Sequence, residues 1–278
     1  MPLDQHDVEA EEKNMTFLEH IEELRWHIIR SLIAVIVASI VAMVNYRFVF
    51  DEIIFGITKE SFPLYRWFCT LSDWIYGDNR ICLDVVQIDT QNLDVSGQFL
   101  YLMIIGFTAG VILAAPFILY EFWRFFRPAL KPAERKYTTG IVLVTSMLFF
   151  IGVLFGYMIL SPLCINFFTH FSLTDHITNN FTLQSYISFV STLTLSSGIV
   201  FELPLLIYIL AKLGLVTAEF LKKYRRHAVV IILIVASIIT PPDVMSQILL
   251  TIPIYFLYEI GIFIALRIQR QQAKKQKI

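Results

Sequence analysis

Six runs of predominantly apolar residues follow one another along the chain, separated by more polar connections. They cover residues 26–46, 99–120, 137–160, 184–211, 227–240 and 244–266. About 20 apolar residues are needed to cross the roughly 30 Å hydrocarbon core of a bilayer. The pattern therefore predicts an all-α membrane protein with six transmembrane helices, in which residues 1–278 form a single polytopic domain.

The composition agrees with this class. Hydrophobic residues make up 56% of the chain and charged residues only 16%, against about 25% charged residues in an average soluble domain. Residues 1–12 hold five acids and no Lys or Arg. Since a signal peptide begins with a basic segment, we expect no cleaved leader.

Positive charge is concentrated on alternate connections. One set holds 18 of the 22 Lys and Arg residues, and it comprises the segment up to Arg30, residues 121–136 and 212–226, and the tail after 266. The other set (47–98, 162–183 and 241–243) holds four Lys or Arg and ten acids. By the positive-inside rule, both termini of this multi-pass protein and the connections near residues 130 and 220 are predicted to be cytoplasmic.

The connection at residues 47–98 is the longest and would form a periplasmic cap. It is rich in aromatic side chains and carries eight acids. Cys69 and Cys82 lie within it. An oxidising compartment would favour a disulfide between them, and two separate thiols are the alternative.

Three carboxylates, Glu19, Glu22 and Glu23, precede the first apolar run at a spacing that places them on one helix face. Thr16 and Glu19 fit a capping box, and Glu22 fits an ordinary surface pairing. Glu23 faces only His27 at i+4, a weaker partner near neutral pH. Glu23 is therefore the carboxylate that local structure explains least.

Glu202 lies near the middle of an apolar run and is followed by Pro204. A carboxylate at the bilayer centre costs about 2.5–3.5 kcal/mol on insertion scales, and a proline in a helix interior produces a kink. A structural explanation requires a buried polar partner, and Ser191 and Thr194 are among the candidates. An intramembrane acid is by default a functional site, which is the interpretation we favour.

Two connections on opposite sides carry further candidates. Glu134 follows a segment with Phe125 at interfacial depth, so it is either a charge at a helix N-terminus or a second functional carboxylate. A turn of structural or functional importance is formed by Pro241, Pro242 and Asp243. The preceding apolar run is short for a span, which predicts local thinning of the bilayer.

Catalytic motifs of the nucleophile-elbow, zinc-protease, P-loop and Cys-x-x-Cys types do not occur in the sequence. The six histidines are scattered. We therefore predict that the protein is not an enzyme and uses neither a cofactor nor a metal ion.

Several motifs together resemble the TatC family, the core membrane component of the twin-arginine protein translocase. Residues 17–25, FLEHIEELR, follow the family pattern Phe-Leu-x-His-Leu-x-Glu-Leu-Arg, and FELP at 201–204 and TPPD at 240–243 follow two more. The remaining matches are Pro116, Tyr120, Trp123, Phe125, Pro128, Leu130, Glu134, Phe149, Gly152, Phe155 and Tyr157. Glu121 departs from the family pattern, where Gln is usual, and His27 stands where a second basic residue is common.

The resemblance implies a receptor for signal peptides with two adjacent arginines, carried by proteins that are exported folded and independently of Sec. It implies single-span partners of the TatA and TatB type, several copies of the chain in one complex, contact with membrane lipid but no nucleic acid, and energy from the proton gradient. The residues it assigns to the signal peptide are Glu23, Glu134, Phe125, Arg25 and His20. The residues it assigns to a partner helix are Glu202, Ser191, Thr194 and Pro204.

A proton-coupled secondary transporter with Glu202 on a broken helix is the alternative function. Such a protein would take up substrate alone, whereas a translocase subunit would need its partners. The sequence shows no inverted repeat, which favours the translocase.

Overall fold

The computed structural model describes residues 17–59, 61–76, 90–126, 138–172, 174, 179–240 and 244–275. Its α-helices are α1 (Phe17–Val44), α2 (Tyr46–Phe48), α3 (Pro63–Tyr76), α4 (Gly97–Phe126), α5 (Thr138–Phe155), α6 (Ser161–His170), α7 (Leu183–Phe201), α8 (Leu203–Lys212), α9 (Ala218–Lys223), α10 (Arg225–Ile239) and α11 (Val244–Lys275). A π-helical turn (Val49–Ile54) and a 3₁₀ turn (Phe55–Thr58) follow α2, and a second π-helical turn (Gly156–Leu160) joins α5 to α6. Within these ranges the β-structure is one bridge, between Gln91 and Thr182.

Five helical stretches of the described chain are long and apolar enough to cross a membrane. They are Ile21–Val44, Gly97–Phe126, Gly140–His170, Leu183–Lys212 and Ser246–Gln272. The all-α prediction is therefore confirmed for this part of the chain. The predicted fifth span corresponds to α10, whose 15 residues extend about 22 Å at 1.5 Å per residue. The count of six spans stays a prediction.

Helices α1 and α4 pack closely along each other. A Cβ atom added at Gly110 on α4 would lie 2.0 Å from Oγ of Ser39 and 2.7 Å from its backbone nitrogen. Only glycine allows the two backbones to come this near. The approach joins the C-terminal half of α1 to the N-terminal half of α4, and at the other end of the two helices His27 of α1 meets Glu121 of α4.

The chain between α2 and α3 is held in place by three tyrosine hydroxyls, from Tyr157, from Tyr186 of α7 and from Tyr65 of α3. Each tyrosine hydroxyl donates to a backbone carbonyl of the π-helical and 3₁₀ turns: Tyr157 to Ile53 at 2.5 Å, Tyr186 to Ile54 at 2.7 Å, and Tyr65 to Ile57 at 3.0 Å. These carbonyls lie in irregular helical turns, where the backbone N–H that would donate to them in a regular α-helix is displaced. The first part of the predicted cap is thus attached to α5–α7, and residues 77–89 lie outside the described chain.

Helices α7 and α8 form one apolar stretch with a break at Glu202. Its ψ of −3° interrupts the helix, and Pro204 occupies the first turn of α8. The backbone N–H of Leu206 still donates to the Glu202 carbonyl at 3.1 Å. The break therefore lies where Pro204 predicts a kink.

Helix α10 is fastened to α11 through an ion pair. Nη2 of Arg225 donates to Oε2 of Glu259 at 2.7 Å, and the Tyr255 hydroxyl donates to the other carboxylate oxygen at 3.1 Å. The Tyr258 hydroxyl donates to the Leu221 carbonyl at 2.8 Å. These contacts fix α9 and the beginning of α10 against the middle of α11.

Candidate functional site

Glu23 lies on α1, four residues before His27, at the end of α1 that packs beside α4. Its Oε2 is buried and has no hydrogen-bond partner among the described residues. Glu22 and Arg25, its neighbours on the helix, are exposed. A buried carboxylate oxygen without a partner is uncommon in a folded protein, so Glu23 is suited to receive a cationic ligand.

Sequence spacing left His27 as a weak i+4 neighbour of Glu23, and the structure pairs it with another carboxylate. Nδ1 of His27 instead pairs with Oε2 of Glu121 on α4, and both side chains are buried. The two partners are 94 residues apart in the sequence. The pairing joins α1 to α4 and turns the imidazole toward Glu121.

Glu121 is surrounded by positive charge. Only 3% of its side chain is exposed, and two guanidinium groups lie near its oxygens besides His27. Nη1 of Arg30 is 3.7 Å from Oε2, and Nη1 of Arg124 is 3.9 Å from Oε1. Because a buried carboxylate is costly unless it is paired, these cations stabilise its charge. Sequence reasoning noted Glu121 only as a departure from the family pattern, and Arg124 at i+3 was the one local signal of its role.

Aromatic side chains form a platform beside this pair. The Phe125 ring lies edge-on to the His27 imidazole, with centroids 6.1 Å apart, and it contacts Phe126 at 5.2 Å. Trp123 is fully buried and packs near Tyr208 of α8, at 6.2 Å between ring centroids. The aromatic segment therefore anchors the end of α4 and places Phe125 next to the charged groups. We refer to Glu23, His27, Glu121 and Phe125 as the α1–α4 site.

Two other residues predicted to bind the signal peptide, and the predicted turn, are not fully described by the structure. His20 lies on α1, but its side chain is outside the described part of the structure. Glu134 is also outside the described residues, as are the turn residues Pro241, Pro242 and Asp243. The structure therefore gives no geometry for a second carboxylate at Glu134.

The predicted disulfide falls partly outside the described chain. Cys69 on α3 is disulfide-bonded, and Cys82 lies outside the described residues. Cys164 is buried and accepts a hydrogen bond from the Ser246 hydroxyl at 3.1 Å. The pairing of Cys69 with Cys82 stays a prediction.

Glu202 forms a second candidate site. Both of its carboxylate oxygens are buried without a hydrogen-bond partner in the described part of the chain. The residue lines a groove of about 450 Å³ whose other walls are apolar and include Ile118 and Phe122 of α4, Ile231 and Val235 of α10, and Ile254 of α11. The structural explanation, in which nearby hydroxyls hold the carboxylate, therefore receives no support from these residues.

The hydroxyls predicted to act with Glu202 lie in another groove. Ser191 and Thr194 line a cavity of about 430 Å³ between α1, α4, α5 and α7, and both hydroxyl oxygens are buried without a partner among the described residues. Pro204 lines a third groove, between α5, α8 and α11. The structure thus distributes the predicted docking residues over three surfaces and does not bring them together.

Comparisons with known proteins agree on one family. The sequence model described as Sec-independent protein translocase protein (TatC) matches residues 19–253. The TatC of Blattabacterium sp. subsp. Periplaneta americana is 42% identical over 263 residues, which are 94% of this chain and 99% of that protein. The TatC of Aquifex aeolicus is 33% identical over 264 residues, or 95% of this chain and 100% of that protein.

Solved structures give the same result. A crystal structure of the twin-arginine translocase receptor TatC superposes with a TM-score of 0.69 at 31% identity, over 90% of this chain and 100% of that one. A second crystal structure, of the receptor in DDM, has a TM-score of 0.72 at 34% identity, over 89% and 99% of the two chains.

These similarities confirm the translocase and give no support to a secondary transporter. The protein is a multi-helix membrane subunit of the machinery for Sec-independent protein transport, and it is not an enzyme. The chain belongs to the TatC family of Sec-independent protein translocase proteins.

Proposed function

We propose that this chain binds twin-arginine signal peptides at the α1–α4 site, with Glu23 and Glu134 receiving the two guanidinium groups. The observation that carries the proposal is the buried, unpaired Oε2 of Glu23 beside the aromatic platform of Phe125. A guanidinium binds a carboxylate through a planar fork that lysine does not reproduce. Arg25 and His20, on the same helix, are the further residues that we assign to the signal peptide.

The two arginine contacts alone supply too little binding free energy, so binding requires an additional apolar contribution. A charged hydrogen bond contributes about 1.5–3 kcal/mol, so two arginine contacts contribute roughly 3–6 kcal/mol. Micromolar affinity corresponds to about 8.2 kcal/mol. The apolar segment of the signal peptide would supply the difference by lying along exposed apolar helix surface or in lipid.

The proposal places both termini and the α1–α4 site in the cytoplasm, with six spans across a bacterial inner membrane. The distribution of Lys and Arg supports this orientation. Helix α10 would count as the short fifth span, and Pro241, Pro242 and Asp243 would form the turn that follows it. Several copies of the chain would act together, with energy from the proton gradient.

Partner helices of the TatA and TatB type would dock at the grooves that Glu202 and the hydroxyls of Ser191 and Thr194 line. The unpaired oxygens of Glu202 in an otherwise apolar groove support this part of the proposal. A polar group on a single-span helix would gain a partner there that lipid does not offer. Pro204 maintains the helix break at Glu202.

Photo-crosslinking of a twin-arginine precursor tests the signal-peptide site. The Glu23→Gln/Glu134→Gln double variant is expected to insert into the membrane normally and to lose the crosslink. Glu22→Gln, which removes an exposed carboxylate from the same helix turn, is the matched control and should retain it. An undiminished crosslink in the double variant would remove these residues from the site.

A further inference from the structure

Basic and aromatic side chains are concentrated where α9 meets α10. Residues 222–227 read KKYRRH, and all six are exposed. Phe220, one turn earlier, is also exposed, and its ring centroid lies 4.6 Å from that of Tyr224. Cations and aromatic rings together are typical of the interface between a bilayer and water. We refer to four of these residues as the α9–α10 basic cluster: Lys222, Lys223, Arg225 and Arg226.

The junction of α9 and α10 lies beside a part of α11 whose apolar surface is exposed. Nη2 of Arg225 donates to Oε2 of Glu259, and the Tyr258 hydroxyl donates to the Leu221 carbonyl. These contacts place the junction level with the middle of α11, whereas the apolar run of that helix continues to residue 266, about 10 Å beyond Glu259 at 1.5 Å per residue. Phe263, in this continuation, is 67% exposed. The cations of the junction therefore lie next to surface that acyl chains cover in a membrane.

Apart from Arg225, the cations of the cluster have no acidic partner in the described part of the chain. Lys222, Lys223 and Arg226 form no ion pair there. Glu219 lies one helical turn before Lys222, and it is exposed and unpaired within the same residues. Basic clusters of this size at the end of a membrane helix attract anionic lipid. The three cations are therefore available to an anion that the described chain does not supply.

We propose that the α9–α10 basic cluster binds the phosphate headgroup of an anionic phospholipid. Arg226 would hold the phosphate through its planar fork, and Lys222 would add a point charge beside it. The exposed rings of Phe220 and Tyr224 would lie at the level of the headgroup. A zwitterionic headgroup carries its own cation next to the phosphate and would bind more weakly.

A lipid fits this surface better than a soluble anion. The acyl chains would cover the apolar surface of α11 that continues past the cluster, which a free phosphate leaves exposed. Helix α10 is short for a span, and a headgroup drawn to its first residues would meet its cations at their own depth. The inference goes beyond the proposed function, because it concerns neither the signal peptide nor a partner helix. In the orientation proposed above, the lipid belongs to the cytoplasmic leaflet.

The test is native mass spectrometry of the full-length protein, released from micelles with equal amounts of phosphatidylglycerol and phosphatidylcholine that have the same acyl chains. The native protein is expected to retain the anionic lipid about tenfold more than the zwitterionic lipid, and Lys222→Gln/Arg226→Gln is expected to abolish that preference. Arg267→Gln/Arg270→Gln is the matched control, because it removes the same charge from exposed positions of α11 beyond its apolar run. It should keep the native preference. Equal losses in the two variants, or a preference that Lys222→Gln/Arg226→Gln leaves intact, would overturn the proposal.

Two further measurements separate a lipid site from a change in folding and from a site for free anions. Lys222→Arg/Arg226→Lys keeps both charges and should keep the preference for phosphatidylglycerol, so its loss in this variant would overturn the proposal. Inorganic phosphate in excess over the lipid should leave the retention of phosphatidylglycerol by the native protein unchanged, because phosphate brings no acyl chains to α11. Displacement of the lipid by phosphate would show a site for free anions and would also overturn the proposal.

Discussion

The imidazole of His27 on α1 pairs with the carboxylate of Glu121 on α4, and both side chains are buried. The pair joins two helices that also approach closely at Gly110. It lies one helical turn from Glu23, so the contact that ties the helices together also shapes the proposed binding surface.

Breaking this pair should destabilise the protein. His27→Leu removes the buried hydrogen-bond partner of the Glu121 carboxylate and leaves it with two half-exposed arginines, and a buried charged group left without its partner costs about 3 kcal/mol. Arg30→Gln is the control, because the Arg30 side chain is 45% exposed and such pairs contribute about 0–1 kcal/mol. Thermal unfolding in detergent should show the larger decrease for His27→Leu, and equal decreases would contradict the buried pair.

The close approach of α1 and α4 gives a second prediction. Gly110→Leu would force a side chain into Ser39, and overpacking of this kind costs about 1–3 kcal/mol. Gly140→Ala on α5 is the matched control, since an added Cβ there meets no atom within 4 Å. Unfolding midpoints should fall for the first variant and stay level or rise slightly for the second. A tolerated leucine would mean that the helices are farther apart than described.

The Glu202 groove predicts where a single-span partner lies. A cysteine introduced at Ile231, on the wall of that groove, should form a disulfide with a cysteine-substituted TatA- or TatB-type helix. Glu202→Ala should reduce this crosslink severalfold, because the partner loses its one polar contact in an apolar groove. Glu219→Ala removes an exposed acid of α9 and should leave the crosslink unchanged. A crosslink pattern that survives Glu202→Ala would argue against docking there.

The two cysteines of the cap are predicted to be oxidised to a disulfide. Because Cys69 is disulfide-bonded and Cys82 is the proposed partner, neither should react with an alkylating reagent before reduction. The protein is purified from membranes whose outer compartment is oxidising. Mass spectrometry should then find both cysteines free of the alkylating reagent before reduction and both alkylated after reduction. Alkylation of both without reductant would exclude the bond.

The hydrophobic pattern predicted the positions of the long helices because a bilayer-spanning helix requires a long apolar run. It predicted the ends of the helices less accurately. The last run was expected to end at residue 266, whereas α11 continues to Lys275. Helix ahead of the first run at residue 26 was expected from the spacing of Glu19, Glu22 and Glu23, and α1 includes that segment from Phe17. Backbone hydrogen bonds continue the helix into polar sequence beyond the hydrocarbon, where hydropathy carries no signal.

Spacing along the sequence predicts which side chains share a helix face, but it does not predict contacts between residues that are distant in the sequence. Spacing of i+4 named His27 only as a weak neighbour of Glu23. The partner of His27 in the structure, Glu121, is 94 residues away, and helix periodicity in a single sequence carries no information on contacts at that separation. Ser191 and Glu202 were grouped because both lie on one apolar run. At 1.5 Å per residue they are about 16 Å apart along the helix, which is far enough for each to line its own groove.

The central claim is that this chain recognises an arginine pair through Glu23. Its most direct test is a pull-down of the full-length protein with a twin-arginine precursor and with the same precursor carrying two lysines. The account predicts capture of the arginine form alone, and loss of that preference in Glu23→Gln but not in Glu22→Gln. Equal capture of the two precursors by the native protein, or a preference that Glu23→Gln leaves intact, would contradict it.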